Sequence, residues 1–354
     1  MIRLTCLLLA ALACSKAGPT CPNPTSGEFV SHAGSLAYAR SAVVSNGELW
    51  ADDSFAIVAV PLDGGAVRTL TAQPDGFGET STVTLTADEI IWANAAGGGP
   101  DAGTIRAVSR DGGTVRTVAP GFSFTVFADA DYVYWATPPD PSVRPSPVLG
   151  AIHRAPLDGG PGATLLQGPV VFGLIGLDAT KLILTEGATS QGTLESIAPD
   201  GSQTVIVDPV PACCFKLAGS DVTWLDGAQP PALQRTNLAS GKTVRIRTAA
   251  EQPFDLFVDD AGGVTVASHC GTVPGDDGPR PGDCTIALYD LLSGTQLACN
   301  SGAVLAMDDQ FVYWRLQQSD GGLDLYRLHR ELRPLRPTLS TTASTPMLAL
   351  VKPN

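Results

Sequence analysis

The residues best equipped for chemistry stand close together near the C-terminal third of the chain: His269, Cys270, Asp276, Asp277, Asp283 and Cys284 offer imidazole, thiol and carboxylate groups. Such a set could hold a metal ion, or its two cysteines could be joined. Cysteine-based metal sites use two Cys-x2-Cys hooks or a paired His motif, and this stretch has neither. Between the cysteines runs Gly-Thr-Val-Pro-Gly-Asp-Asp-Gly-Pro-Arg-Pro-Gly-Asp, too rich in Gly and Pro to hold its own shape. Closing that loop with a disulfide would contribute roughly 3 kcal/mol through loop entropy. We therefore read Cys270 and Cys284 as a disulfide and expect no metal and no cofactor. The remaining histidines, His32, His153 and His329, are scattered, the last two at comparable third-strand places in the repeat described below. No Gly-x-Ser-x-Gly elbow, His-Glu-x-x-His helix, phosphate loop or Gly-x-Gly-x-x-Gly turn occurs, so no catalytic residue is assigned.

The N-terminus explains the cysteine chemistry. Arg3 precedes an apolar run, Leu4 to Ala13, too short to span a bilayer and suited to the core of a secretory signal. Ala11-Leu12-Ala13-Cys14 resembles the bacterial lipobox, in which the cysteine is acylated and becomes the mature N-terminus, although Leu is usual where Ala11 stands. Cleavage of an ordinary secreted protein after Ala-x-Ala is the alternative. Either way the protein is exported, and Cys14 is the lipidation site in the first reading. We expect residues 1–13 to be a signal peptide, 14–35 a lipid anchor and flexible tether rich in Pro and Gly, and 36–354 one folded domain. Cys6 leaves with the leader. Cys21, Cys213, Cys214 and Cys299 remain for bridging, and adjacent Cys213 and Cys214 cannot easily join each other.

Composition limits the partners. The chain has 354 residues, 44% of them hydrophobic and 16% charged, with 38 Gly and 28 Pro and a net charge of −13. With so few basic residues it has no face for a phosphate backbone or an anionic membrane surface, so nucleic acid is excluded and membrane contact is expected only through the lipid. The Gly and Pro content argues for many turns between short elements.

Those elements repeat. An apolar-aromatic run ending at an anchor residue is followed by a variable loop and an apolar-basic run ending in Asp-Gly or Ser-Gly. The anchors are Trp50, Trp92, Trp135, Leu184, Trp224, Val266 and Trp314, spaced 40 to 49 residues apart, as the blades of a β-propeller require. The expected fold class is all-β, a seven-bladed β-propeller of four-stranded antiparallel blades. In the third copy the strands should cover Phe124 to Ala128, Tyr132 to Ala136, Ala151 to Pro156 and Ala163 to Leu166, with Asp158-Gly159-Gly160 turning the last hairpin. Six residues before each anchor stand Val44, Thr86, Asp129, Asp178, Ala218, Asp260 and Asp308, which we read as turn formers. The Trp anchors are read as packing between blades and not as a sugar platform. The last blade should draw its outer strand from Leu335 to Ser340, and Met347 to Val351 should pair beside the first blade near Leu36 to Val44.

These units resemble the repeat of bacterial exported β-propellers with a Tyr-Trp or Ile-Trp second strand and an Arg-x-Pro-Leu-Asp-Gly-Gly third strand, a group similar in look to TolB-like and NHL-like propellers. The resemblance covers about Ser35 to Ser340. It implies a fold and a location at the periplasm or cell surface, and no reaction. Propeller ligands meet inner strands near the axis. After each first-strand apolar marker stand Thr84, Thr125, Gly173, Lys216, Asp255 and Leu305, of which Lys216 and Asp255 are candidate axial contacts. The expected function is non-catalytic binding or scaffolding of a protein, peptide or glycan by a monomer in the cell envelope. The alternative is a lactonase-like or streptogramin-lyase-like hydrolase or lyase with an axial metal site. Non-reducing peptide mapping should recover Cys270 and Cys284 in one linked peptide; either thiol found free or joined elsewhere removes the bridge.

Overall fold

The computed structural model describes residues 28–32, 42–53, 56–72, 83–95, 103–121, 123, 125–137, 150–168, 171–178, 181–188, 191–210, 215–226, 232–248, 255–258, 264–268, 285–290, 295–301, 303–308, 310–317 and 323–329, with only the backbone of the four strands between 255 and 301. Every described element is a strand or a turn. After β1 (Glu28–His32) come six sheets, each made of four consecutive antiparallel strands. They are β2 to β5 (Ala42–Ser45, Glu48–Asp53, Ala56–Pro61, Arg68–Ala72), β6 to β9 (Thr84–Leu85, Glu89–Ala95, Gly103–Ser109, Arg116–Pro120) and β10 to β13 (Val126–Ala128, Tyr132–Thr137, Gly150–Pro156, Ala163–Gly168). Next are β14 to β17 (Val171–Asp178, Lys181–Ala188, Gln191–Ile197, Gln203–Val210), β18 to β21 (Phe215–Ala218, Asp221–Leu225, Ala232–Asn237, Thr243–Thr248) and β22 to β25 (Asp255–Val258, Val264–Ser268, Thr285–Asp290, Thr295–Ser301). Then follow β26 (Ala303–Met307), β27 (Phe311–Gln317) and β28 (Leu323–His329), which form the final sheet together with β1 in the order β1-β28-β27-β26. Blade 1 is β2 to β5, the blades are numbered along the chain, and blade 7 is this composite sheet.

This arrangement corrects the expected seven-fold unit. Six blades, not seven, are built from consecutive strands, and the remaining sheet is finished by a strand from the opposite end of the chain. Its outer position, assigned from sequence to residues 335–340, is held by β1, which lies inside the stretch expected to be a tether. Residues 335–340 and 347–351 fall outside the described residues. The innermost strands stand side by side: β6 with β10, β10 with β14, β14 with β18, β18 with β22, β22 with β26 and β26 with β2. Blades 1 and 2 are joined by one cluster containing Trp50, Ile57, Ile90 and Trp92.

Where side chains are described, the second strands are buried at consecutive positions between neighbouring blades, which is why they read as continuous apolar runs and not as alternating ones. Ile90, Ile91, Trp92 and Ala93 are all fully buried. Outer strands are wetter, as in β13 and β17, where most positions are exposed or half-buried. The same geometry exposes a one-residue slip in the repeat. Trp92 and Trp135 face the preceding blade, whereas Trp50 packs toward the following one, and Leu49 and Ala51 pack toward blade 7. The residue of blade 1 equivalent to Trp135 is thus Ala51, since shifting a strand by one residue exchanges its faces.

Blade 7 and blade 1 are clasped through β1. Val30 is buried in a cluster with Leu49, Val58, Val60, Tyr313 and Leu325. Arg327 makes a two-pronged ion pair with Glu28 at 2.9 and 3.0 Å, donates to the Leu62 carbonyl at 3.2 Å and lies 4.7 Å from the centre of the Phe311 ring. Its hydrogen bonds and charge hold the Glu28 carboxyl below the usual range. A chain beginning at residue 28 should melt with the full-length protein, whereas one beginning at residue 33 should melt markedly lower. Val30→Ala should cost about 2 kcal/mol in chemical denaturation, the transfer value of the two methyl-sized groups lost. Equal melting of both truncations would show that β1 is not the closing strand.

Candidate functional site

The connections of the wheel divide unequally between its two faces. On one face lie the first-to-second and third-to-fourth strand turns, none longer than six residues, with 62–67, 110–115 and 157–162 the longest. On the other lie the second-to-third and blade-to-blade connections, which include 73–83, 96–102, 138–149 and 269–284. We call these the turn face and the loop face.

The turn face is locked by its own side chains. Asp129 Oδ1 accepts from the amides of Asp131 and Tyr132 at 2.8 and 2.7 Å, and its Oδ2 accepts from the Tyr134 hydroxyl at 2.8 Å. Asp308 repeats this with Gln310, Phe311 and Tyr313 at 2.8, 2.6 and 2.7 Å. Burial and the Asp129 carboxylate together push the Tyr134 hydroxyl well above the usual tyrosine range. Thr86 does the same work in blade 2, accepting from the Glu89 amide at 3.1 Å. Val44 does not, because of the slip at Trp50: blade 1 turns instead at Asn46 and Gly47, with φ of 54° and 76°. In the other hairpins Asp63, Asp158 and Asp200 accept from the amides of Gly65, Gly160 and Ser202. Carboxylates at these places are turn formers, and the sequence reading of Asp129 and Asp308 holds.

The Trp anchors are buried between blades, from fully enclosed Trp92 to Trp224 at 6% exposure, which leaves no indole face for a sugar. The anchor stacks instead on the aromatic paired with it on the third strand: Trp135 on His153 at 5.2 Å and Trp314 on Tyr326 at 6.4 Å. His153 and His329 are therefore not equivalent, since His153 pairs with the anchor and His329 with Phe311. Both His153 ring nitrogens have threonine partners, Thr137 Oγ1 at 3.0 Å and Thr164 Oγ1 at 3.2 Å, and burial holds the imidazole below its usual range.

The inner-strand candidates fall on two levels. Thr84 and Lys216 are equivalent, opposite Ile91 and Thr223. Gly173 and Asp255 lie two residues nearer the loop face, paired with Thr185 and Ala267, and Thr125 just precedes β10. Leu305 is buried in a bulge of β26. Lys216 is exposed on β18, which stands beside β22, and the side chain of Asp255 on β22 is outside the described residues.

Sequence reasoning missed one buried acid. Glu195 on β16 is 7% exposed and accepts from Gln203 Nε2 at 3.2 Å. Desolvation first, and Glu186 second, push its carboxyl above the usual range. Leu194 to Ile197 are buried in succession, so no alternation in the sequence marks Glu195. Among the described residues no group of three His, Cys, Asp or Glu is placed to hold a metal ion. Cys14, Cys21, Cys213, Cys214, Cys270 and Cys284 lie outside the described residues, and Cys299 pairs through its backbone with Ala287 in β24. The 269–284 segment joins β23 to β24 on the loop face.

No protein-family model matches the chain, and no curated protein matches it. Solved structures do. Oligogalacturonate lyase from Vibrio parahaemolyticus is similar with a TM-score of 0.60 and 11% identity, over 88% of this chain and 92% of that one. An oligogalacturonate lyase in complex with manganese gives 0.57 and 12%, over 87% and 89%. TolB from Acinetobacter baumannii gives 0.45 and 11%, over 78% and 64%. At such identities the likeness to the lyases supports the propeller fold alone.

His153 generates a pH dependence. Its folded-state value is below the unfolded 6.5, so the unfolded chain binds the extra proton first. Its contribution to stability is complete above about pH 6.5 and falls as pH drops through the folded value. His153→Asn should flatten the denaturation-midpoint profile between about pH 7 and pH 5 relative to the parent. Parallel profiles would show that the buried ring is not the titrating group.

Proposed function

We propose that the chain is a non-catalytic, exported β-propeller, anchored through a lipid on Cys14, whose loop face binds a protein, peptide or glycan ligand at the cell envelope. The observation that carries this reading is the division of the wheel. On the turn face Asp63, Asp129, Asp158, Asp200 and Asp308 are engaged by backbone amides of their own turns. All of the long, Gly- and Pro-rich connections leave from the opposite face, where variable chain on a rigid scaffold is suited to recognition. The leader and Ala13-Cys14 support export and anchoring.

Expressed with its leader in a bacterial host, the Cys14→Ser protein should shift from the membrane to the soluble fraction, and unchanged membrane association would remove the lipid anchor. The enzymatic alternative, a hydrolase or lyase, is checked by incubating the protein with oligogalacturonate with and without manganese; the binding reading expects no unsaturated product, and its appearance would overturn that reading.

A further inference from the structure

The direction of β1 decides which face of the wheel lies nearer a membrane anchor. β1 occupies the outer rim of its sheet. It runs antiparallel to β28, with Glu28 opposite Arg327 and His32 opposite Asp324. β28 is a third strand, so its first residue, Leu323, is at the loop face and its last, His329, is at the turn face. Three contacts fix the Glu28 end at the turn face. Arg327, which grips Glu28, donates to the carbonyl of Leu62 in the turn after β4. The same guanidinium lies over Phe311, which closes the Asp308 turn. Further along β1, the carbonyl of Val30 lies beside Gly64 of that turn after β4. The chain therefore arrives from the turn side, at the rim, and leaves β1 on the loop side.

We infer that the turn face is the membrane-proximal face of the anchored protein and that the loop face is turned toward the aqueous compartment, available to a soluble partner or to one on an opposing surface. This rests on the lipid anchor proposed above. Only residues 15–27 separate Cys14 from Glu28. At roughly 5–6 Å × √n for a flexible chain, a segment of that length has a mean reach of about 20 Å. That is comparable to the thickness of the wheel, about 20–23 Å for strands of six or seven residues at 3.3 Å each. An anchor that short, attached at one face, keeps that face on the membrane side of the molecule. Charge sets how closely it approaches. The described turns of this face carry Asp63, Asp88, Asp111, Asp129, Asp131, Asp158, Asp200 and Asp308 against Arg110 and Lys242, so the net charge there is negative, anionic headgroups repel it and the wheel hangs from the anchor without lying flat on lipid.

The experiment uses the full lipidated chain in vesicles containing anionic lipid and a headgroup acceptor dye. A donor dye is placed through an azido residue at Thr114, exposed beside a turn, or at Gln167, exposed toward the loop end of β13. Energy transfer from position 114 should exceed that from position 167 by about two-fold or more, given a separation along the wheel axis of roughly 20 Å. Equal transfer, or greater transfer from 167, with the protein still bound to the vesicles, would overturn the orientation. Failure of the lipidated chain to bind vesicles at all, or equal binding by Cys14→Ser, would instead overturn the anchor on which it rests. Transfer that keeps its order when the anionic lipid is replaced by neutral lipid, and rises at both positions, would support the charge stand-off; a reversed order would again overturn the orientation.

Discussion

Arg327 is where the ring becomes a ring. A propeller's blades are covered on both faces only if the last one meets the first, and an unclosed circle would leave two apolar faces and a sheet edge in water. Here a single guanidinium touches β1, β27 and the turn after β4, so it ties the first strand of the chain, the last blade and the first blade at one point. The charged pair is exposed on the Glu28 side and is worth little by itself as a surface ion pair. Its role is register. The energy of closure lies beneath it, in Val30 and the cluster it completes between Leu49, Val58, Tyr313 and Leu325.

Burial on both faces makes the inner architecture legible. A second strand with another sheet on either side must be apolar at consecutive positions, and Ile90-Ile91-Trp92 or Val133-Tyr134-Trp135 announce that without any structure. Turn chemistry is equally local. An Asp-Gly pair at the end of a third strand gives a positive φ, as Gly64, Gly159 and Gly201 show. In the third copy the observed strands follow the sequence reading to within about two residues at every boundary, because both signals operate within a few residues of the atoms they control.

What was not legible is what depends on distant partners. β1 reads Glu-Phe-Val-Ser-His, five residues beside a Pro-rich stretch, and its ion-pair partner lies 299 residues away. Nothing within reach of those five residues marks them as a strand. The slip at Trp50 has a related cause. A tryptophan near the end of an apolar run looks like the others, but both faces of that run are buried, so hydrophobicity alone cannot tell Trp50 from Ala51 as the equivalent of Trp135. Only the packing partners do, with Trp50 against Ile90 and Ala51 against the last blade. The inner-strand candidates suffered likewise, because bulges in β14 and β26 break the constant offset that aligning by anchors assumes.

The same division between local and distant determinants separates scaffold from function in this fold. Each turn is satisfied by residues two to five positions away, such as Asp308 with Gln310, Phe311 and Tyr313, so the turn face can persist whatever the rest of the molecule binds. The wheel therefore constrains the ends of its long connections. Between β23 and β24 or between β11 and β12, the sheet fixes only where the chain departs and returns. Most of the buried apolar residues that hold the described blades together lie in the strands, with Leu62 and Val83 added from the connections. A chain organised in this way can vary its connections without changing its strands, and for that reason a fold so plainly written in its repeats carries so little information about function.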